Sequence, residues 1–308
     1  MQRTIRTSAS FDGVGLHSGA RVRATVRPAA AEFGIWFRRL DVRVGDPMIP
    51  AQWSAVEPSE RCTRLRNADG VSVSTVEHVM AALAGCGIHN AVVEVDGPEM
   101  PILDGSAAPF VAALVARGVR ELDAPVRVLR VCETVELREG EAFARLEPAD
   151  GLEIAFSIDF PDSAIGRQAK ALDMANGAFV RELSDSRTFG RLADVERLRA
   201  AGLGLGGSLE NAIIVDGGRI LNPGGLRHAD EPVRHKMLDA LGDLALAGAP
   251  LLGRYVAHRA GHALTNRLLR RLFATPGATR VEICPPAAAA RLPGMGVDRT
   301  DVPVRLSA

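Results

Sequence analysis

VRATVRPAAAEFGIWF, from Val22 to Phe37, and FARLEPADGLEIAF, from Phe143 to Phe156, are two versions of one pattern. Each has a strand-like stretch, a Pro-Ala turn, a glycine and a second strand. In the first copy Val22, Ala24 and Val26 alternate with polar residues, and Ile35 to Phe37 resumes the extended pattern after the turn. Downstream of each copy lies a helix that carries a histidine and ends in the string ALAG, at Ala82 to Gly85 and again at Ala245 to Gly248. The repeated order of elements predicts an α+β protein of two similar domains from an internal duplication, each a β-sheet packed with helices. A site built from both halves then falls in the cleft between them.

Around this repeat, Ser74 to Gly85 reads as a helix, Asn90 to Val95 as an apolar strand, and Pro98 to Ser106 as a turn-rich segment. Ala107 to Arg117 reads as a second helix with Gly118 as its stop. The change of character between Leu122 and Pro125 is taken as the boundary, giving domains 1–124 and 125–308. Length allows two cores of ordinary domain size: the chain has 308 residues, 47% of them apolar and 24% charged. Lys+Arg and Asp+Glu are 37 each, so the basic excess of a nucleic-acid binder is absent. No apolar run follows the early arginines between Met1 and Phe11, and no stretch approaches the ~20 apolar residues of a membrane span. Cys62, Cys86, Cys132 and Cys284 show no paired spacing. These features predict a reduced, cytoplasmic, monomeric protein that takes a small-molecule partner, without nucleic acid and without stable membrane insertion.

The residues that could do chemistry are few. In Ser74-Thr75-Val76-Glu77-His78, Glu77 sits three residues after Ser74, the spacing of a capping box. The other reading makes Glu77 a general base and His78 a metal ligand, which requires the Glu77 side chain to turn outward. On the helix from Pro232 to Gly248, Val233, Met237, Ala240, Leu241 and Leu244 form one apolar stripe. His235 and Asp239, four apart on another face, can close on one metal ion, with Lys236 and Asp243 on the adjoining face. That face could equally be a solvated one, and the short Gly242 on it leaves room for something to approach. His262 opens a helix after Gly261, and His17, His89, His258 and Cys62 compete as metal ligands. The stretch Gly202-Leu203-Gly204-Leu205-Gly206-Gly207-Ser208 has the look of a phosphate-cradling loop, so a small-molecule kinase is the alternative reading. It lacks the GKS or GKT ending of a P-loop.

Taken together, GVGLHSG (Gly13 to Gly19), STVEH (Ser74 to His78), MPILDGSAAPFV (Met100 to Val111), SRTFG (Ser186 to Gly190), LGGS (Leu205 to Ser208), VRHKMLD (Val233 to Asp239) and GHAL (Gly261 to Leu264) resemble one family in the same order. That family is the UDP-3-O-acyl-N-acetylglucosamine deacetylases, enzymes of lipid A biosynthesis. The resemblance implies two similar α+β domains, each with a small insert and the site between them. It implies one zinc per chain, with iron as an alternative, held by His78, His235 and Asp239. Glu77 would be the general base and His262 the acid, with Asp243 orienting His262. Thr188 would bond the oxyanion, and Lys236 would neutralise charge near the site. Leu16, Phe189, Gly207 and Ser208 would contact substrate, and the insert at about 191–217 would form the passage for its acyl chain. A helix N-terminus lowers the pKa of His262 and the Asp243 carboxylate raises it; the direct ion pair is expected to win. The chain departs from the family pattern at Arg191, where an apolar residue is usual. It departs again at Glu141-Ala142-Phe143, where a basic residue usually precedes the aromatic.

Overall fold

The computed structural model describes residues 1–59 and 61–302. The first part of the chain runs β1 (Arg3–Ile5), β2 (Ala9–Val14), β3 (Arg21–Pro28), β4 (Ile35–Arg39) and β5 (Met48–Pro50). Three short strands follow, β6 (Val56–Glu57), β7 (Arg64–Arg66) and β8 (Ser72–Ser74). Then come α1 (Glu77–Gly85), β9 (Ala91–Val95), α2 (Ala108–Arg117) and β10 (Val119–Glu121). The second part begins with β11 (Arg127–Val131), β12 (Val135–Glu139), β13 (Ala142–Glu147), β14 (Leu152–Asp159) and β15 (Arg167–Asp173). It continues with β16 (Phe189–Arg191), α3 (Leu192–Ala200), β17 (Ile213–Asp216) and β18 (Arg219–Ile220). It ends with α4 (Glu231–Ala245), β19 (Leu251–His258), α5 (His262–Ala274), β20 (Thr279–Ile283) and α6 (Pro286–Ala289).

Strand order carries the duplication. One sheet runs β2-β3-β9-β4-β5, with β9 antiparallel to β3 and parallel to β4. In the second sheet β12, β13, β19, β14 and β15 adjoin in the matching order, and β19 is antiparallel to β13 and parallel to β14. The two quoted segments are therefore corresponding strand pairs, β3/β4 and β13/β14. Each half also carries a small three-stranded insert, β6-β7-β8 in one and β16-β17-β18 in the other. The fold is α+β, with two sheet-and-helix domains. Among the described residues, no helix is long and apolar enough to cross a membrane.

The halves meet through helices. The apolar stripe of α4 is buried as its spacing predicts, each of Val233, Met237, Ala240, Leu241 and Leu244 being at most 2% exposed. The opposite face is no solvated one: His235, Asp239 and Asp243 are buried as well. What approaches Gly242 is the backbone of α1, since a Cβ there would lie 2.1 Å from the Glu77 carbonyl oxygen. Gly242→Ala therefore forces the two helices apart and is expected to cost about 1–3 kcal/mol, the usual penalty of overpacking. Urea denaturation measures it, and an unchanged midpoint would show that the helices do not depend on this close approach.

Candidate metal and catalytic centre

The start of α1 does not form a capping box. Ser74 ends β8, the N-cap position is Val76, and no side chain caps the helix. Thr75 takes a left-handed backbone conformation (φ 58°) between strand and helix. This turn delivers Glu77 and His78 as the first two helical residues, both buried. Freed from capping, Glu77 accepts the Thr63 amide through Oε2 at 3.1 Å, while Oε1 lies 3.7 Å from His262 Nε2.

His78, His235 and Asp239 bring one ligand atom each to within 4.8 Å of one another, a group that could hold a metal ion. His78 comes from one half and the other two from the second and third turns of α4. Nδ1 of His235 lies 3.0 Å from the Ser186 carbonyl, which can only accept. That nitrogen carries the proton, and Nε2, 3.3 Å from Asp239 Oδ1, has its lone pair free. Burial holds His235 neutral, with its pKa lowered to about 4. The two imidazoles stand edge to face with centroids 5.1 Å apart. Asp239 Oδ1 is buried and has no hydrogen-bond partner among the described residues, whereas Oδ2 accepts Lys236 Nζ at 2.9 Å. Burial opposes the charge on Asp239, but His235, Lys236 and His262 outweigh it and keep the carboxyl well below its usual range. Two imidazole nitrogens and an unsatisfied carboxylate oxygen are the donor set a divalent cation of the zinc kind needs, so the residues present fit one.

Beside this group lies an acid–base pair. His262 Nδ1 sits 2.9 Å from Asp243 Oδ2. Burial alone would lower the His262 pKa, but the carboxylates of Asp243, Asp239 and Glu77 prevail and raise it to about 9. Burial likewise raises Glu77, with His262 and His78 acting against it. Lys236 is raised too, because Asp239 outweighs the effect of burial.

Thr63 is a further residue of this centre, unmarked by any sequence pattern. Its amide holds Glu77, and its hydroxyl donates to Asp243 Oδ1 at 2.5 Å while lying 3.4 Å from His262 Nδ1. One residue thus ties base, acid and orienting carboxylate together, and nothing in its neighbourhood, Cys62-Thr63-Arg64, marks it. Glu99 lies within the turn-rich segment Pro98 to Ser106. Its buried carboxylate accepts the His17 and Ser18 amides and the Thr75 hydroxyl, which fixes the loop before α1. Arg187 and the fully buried Glu231 form an ion pair at 3.0 Å that anchors the segment presenting the Ser186 carbonyl.

The remaining expected residues fall into two groups. Phe189 lies against the centre, its ring 6.4 Å from that of His235, and Thr188 directly precedes it. Thr188 donates its amide to Gly105, and its hydroxyl makes no hydrogen bond among the described residues. Leu16, Gly207 and Ser208 belong to a contact between the two glycine-containing loops. Gly206 donates its amide to the Leu16 carbonyl, Leu205 donates to His17, and a Cβ on Gly206 would lie 2.2 Å from the Gly15 oxygen. Gly207 and Ser208 donate theirs to Gly204 and Asn211. These amides are therefore spent on loop packing, and the stretch offers no phosphate cradle of the kind a kinase uses. Arg191 is paired with Asp162.

The competing ligands stand apart. Burial pushes the Cys62 thiol up to about 11 and so leaves it a thiol. His89 accepts the Arg3 amide, and His258 Nδ1 lies 2.8 Å from the Ser157 hydroxyl. A cleft of about 390 Å³ between the halves is lined by Trp53, Leu83, Leu129, Leu241, Phe273 and Val281 among others, and none of the metal-binding group lines it.

The duplicated α+β chain thus sets a buried two-histidine, one-aspartate group that could hold a metal ion beside a carboxylate and an imidazole placed to exchange protons. The profile of the family described as UDP-3-O-acyl N-acetylglycosamine deacetylase matches residues 2–274, and the chain belongs to that family. It is 54% identical to a UDP-3-O-acyl-N-acetylglucosamine deacetylase of Phenylobacterium zucineum over 280 residues, 91% of this chain and 96% of that protein. Proteins of the same description from Shewanella woodyi and Pseudoalteromonas atlantica are 46% and 47% identical, over 89% and 88% of this chain and 90% of each relative.

Proposed function

We propose that the protein hydrolyses the acetamide of UDP-3-O-acyl-N-acetylglucosamine, releasing acetate and the free amine, as the committed deacetylation of lipid A biosynthesis. The reading places one zinc ion on His78, His235 and Asp239, and the observation that carries it is the orphaned Asp239 Oδ1 facing two imidazoles inside a family of deacetylases. When bound, such an ion supplies Lewis acidity and brings the pKa of coordinated water to about 7.

The chain's own residues supply the proton transfers. Glu77, lifted by burial yet still ionisable, takes a proton as water attacks the acetyl carbon. His262 arrives charged and supports the oxyanion, as does Thr188, each donor being worth about 2.7–4 kcal/mol. His262 then gives its proton to the departing nitrogen as the carbon–nitrogen bond breaks, since an amine leaves only when protonated. Asp243 and Thr63 keep the imidazole oriented, and Lys236 offsets part of the charge on Asp239. Leu16, Phe189, Gly207, Ser208 and the insert at about 191–217 are proposed to guide the acyl chain. The domain boundary is placed at 124/125, because among the described residues every strand pairing stays on one side of it.

Incubation of the purified protein with this substrate is expected to release acetate, and a chelator is expected to abolish the release until zinc or iron is restored. Protein that binds no metal, or that turns over unchanged in chelator, would remove the proposal. The pH profile adds a second test. Glu77 must be deprotonated and His262 protonated, so activity rises through the Glu77 pKa and falls as His262 titrates. A divalent cation on Asp239 takes up part of the carboxylate field that raises His262, so the alkaline limb is expected at or below about 9. His262→Ala is expected to impair turnover and erase that limb; a profile of unchanged shape would assign the acid elsewhere.

A further inference from the structure

We infer that Asn266 is a positioning residue of the reaction, setting the direction of a hydrogen-bond chain that ends on Asp243 and holds the His262 imidazole. The inference rests on the reading that His262 is the acid of the deacetylation. Asn266 lies four residues beyond His262 on α5, one turn along the same face, and is buried.

The direction of each bond follows from what its partner can do. Asp243 offers carboxylate oxygens, which accept. The Thr63 hydroxyl, 2.5 Å from Asp243 Oδ1, therefore spends its one proton there. His262 Nδ1, 2.9 Å from Asp243 Oδ2, donates as well. With its proton spent, Thr63 Oγ1 can only accept from Asn266, so the atom 3.3 Å away has to be the donor, Nδ2. That amide hydrogen occupies a Thr63 lone pair which would otherwise compete with Asp243 for the His262 Nδ1–H, 3.4 Å from the hydroxyl oxygen. The imidazole is thereby left to Asp243 alone, with Nε2 turned toward Glu77 and Asp239, 3.7 Å from each.

Stability does not account for the residue. Oδ1 of Asn266 is buried and has no hydrogen-bond partner among the described residues. A buried acceptor without a partner destabilises a fold, and a leucine of similar size would leave none. What the amide supplies instead is a donor to Thr63, a residue of the first half that meets Asp243 and His262 of the second. Thr63 and Asp243 are buried with it, and in such surroundings each bond of a chain strengthens the next.

Steady-state kinetics of the metal-loaded protein, with thermal unfolding and proton NMR, test the assignment. Asn266→Leu is expected to lower kcat about tenfold with KM within about twofold, while its Tm is no lower than that of the unchanged protein. Asn266→Ala serves in its place where the leucine is not accommodated. Thr63→Val removes the hydroxyl but keeps the amide that holds Glu77, and is expected to lose about the same factor, which Thr63→Ser restores. Because Asn266 acts through that hydroxyl, the double variant is expected to stay about tenfold down, where independent effects would multiply to about a hundredfold. The low-field proton signal of His262 Nδ1–H, identified by its loss in His262→Ala, is expected to move in Asn266→Leu and needs no turnover. If the unchanged protein released no acetate, the deacetylase reading would fail and this signal would still decide the role of Asn266. An unchanged kcat, multiplied losses in the double variant, a fall in Tm that accounts for the lost rate, or a signal that stays in place would overturn the assignment.

Discussion

Glu77→Ala is expected to keep about one metal ion per chain and to lower kcat about 10²- to 10⁴-fold, the range that general-base catalysis supplies. The metal should stay because Glu77 lies outside the group that could hold it, which His78, His235 and Asp239 complete between them. Turnover should fail because no substitute base is placed. Asp243 is committed to Thr63 and His262, and Asp239 is committed to Lys236. Glu77→Gln is the sharper variant, since an amide oxygen can still accept the Thr63 amide and preserve the loop while losing basicity. Metal analysis and acetate release on the same preparation separate the two roles, and KM near that of the unchanged protein locates the loss in the chemical step. Rates close to those of the unchanged protein would mean that another group takes the proton. Loss of the metal instead would make Glu77 part of the binding set.

What the sequence made legible was whatever repeats or is local. The Pro-Ala turns with their flanking strands, and the helix stop at Gly118, with φ 76°, follow from short-range chemistry. The stripe on α4 follows from helical period. Spacing alone also offered His235 and Asp239 as a pair, but no local rule selects the third ligand. His78 is brought to them by the packing of α1 on α4, a contact made possible by the missing side chain at Gly242. In the sequence, only the resemblance to a family points to His78. Thr63 shows the limit from the other side. Three of its contacts reach residues 14, 180 and 199 positions away, and such contacts leave no periodic trace. The capping-box spacing at Ser74 and Glu77 misled for a related reason. The left-handed turn at Thr75 is held by Glu99 from a distant segment, and that tertiary contact overrides the local preference.

His235→Ala is expected to give protein that is free of metal after dialysis and has no measurable turnover. The change removes a lone pair held in place from both sides. The Ser186 carbonyl fixes the tautomer, and the Arg187–Glu231 pair fixes that carbonyl. The remaining His78 and Asp239 form an incomplete site, and Asp239 Oδ1 stays buried with neither protein partner nor cation. Thermal unfolding distinguishes this from general damage. If the unchanged protein holds metal at about a hundred times its dissociation constant, the ion contributes about 2.7 kcal/mol to folding. Chelation should then lower the Tm of the unchanged protein, while the Tm of His235→Ala should not respond to chelator at all. Removing a ligand costs the unchanged chain that linkage energy only once, so the chelated parent and the variant should unfold at similar temperatures apart from the small cavity left by the imidazole. A variant that kept one metal per chain and still lost stability on chelation would move the ion away from α4, and with it the deacetylase reading of this centre.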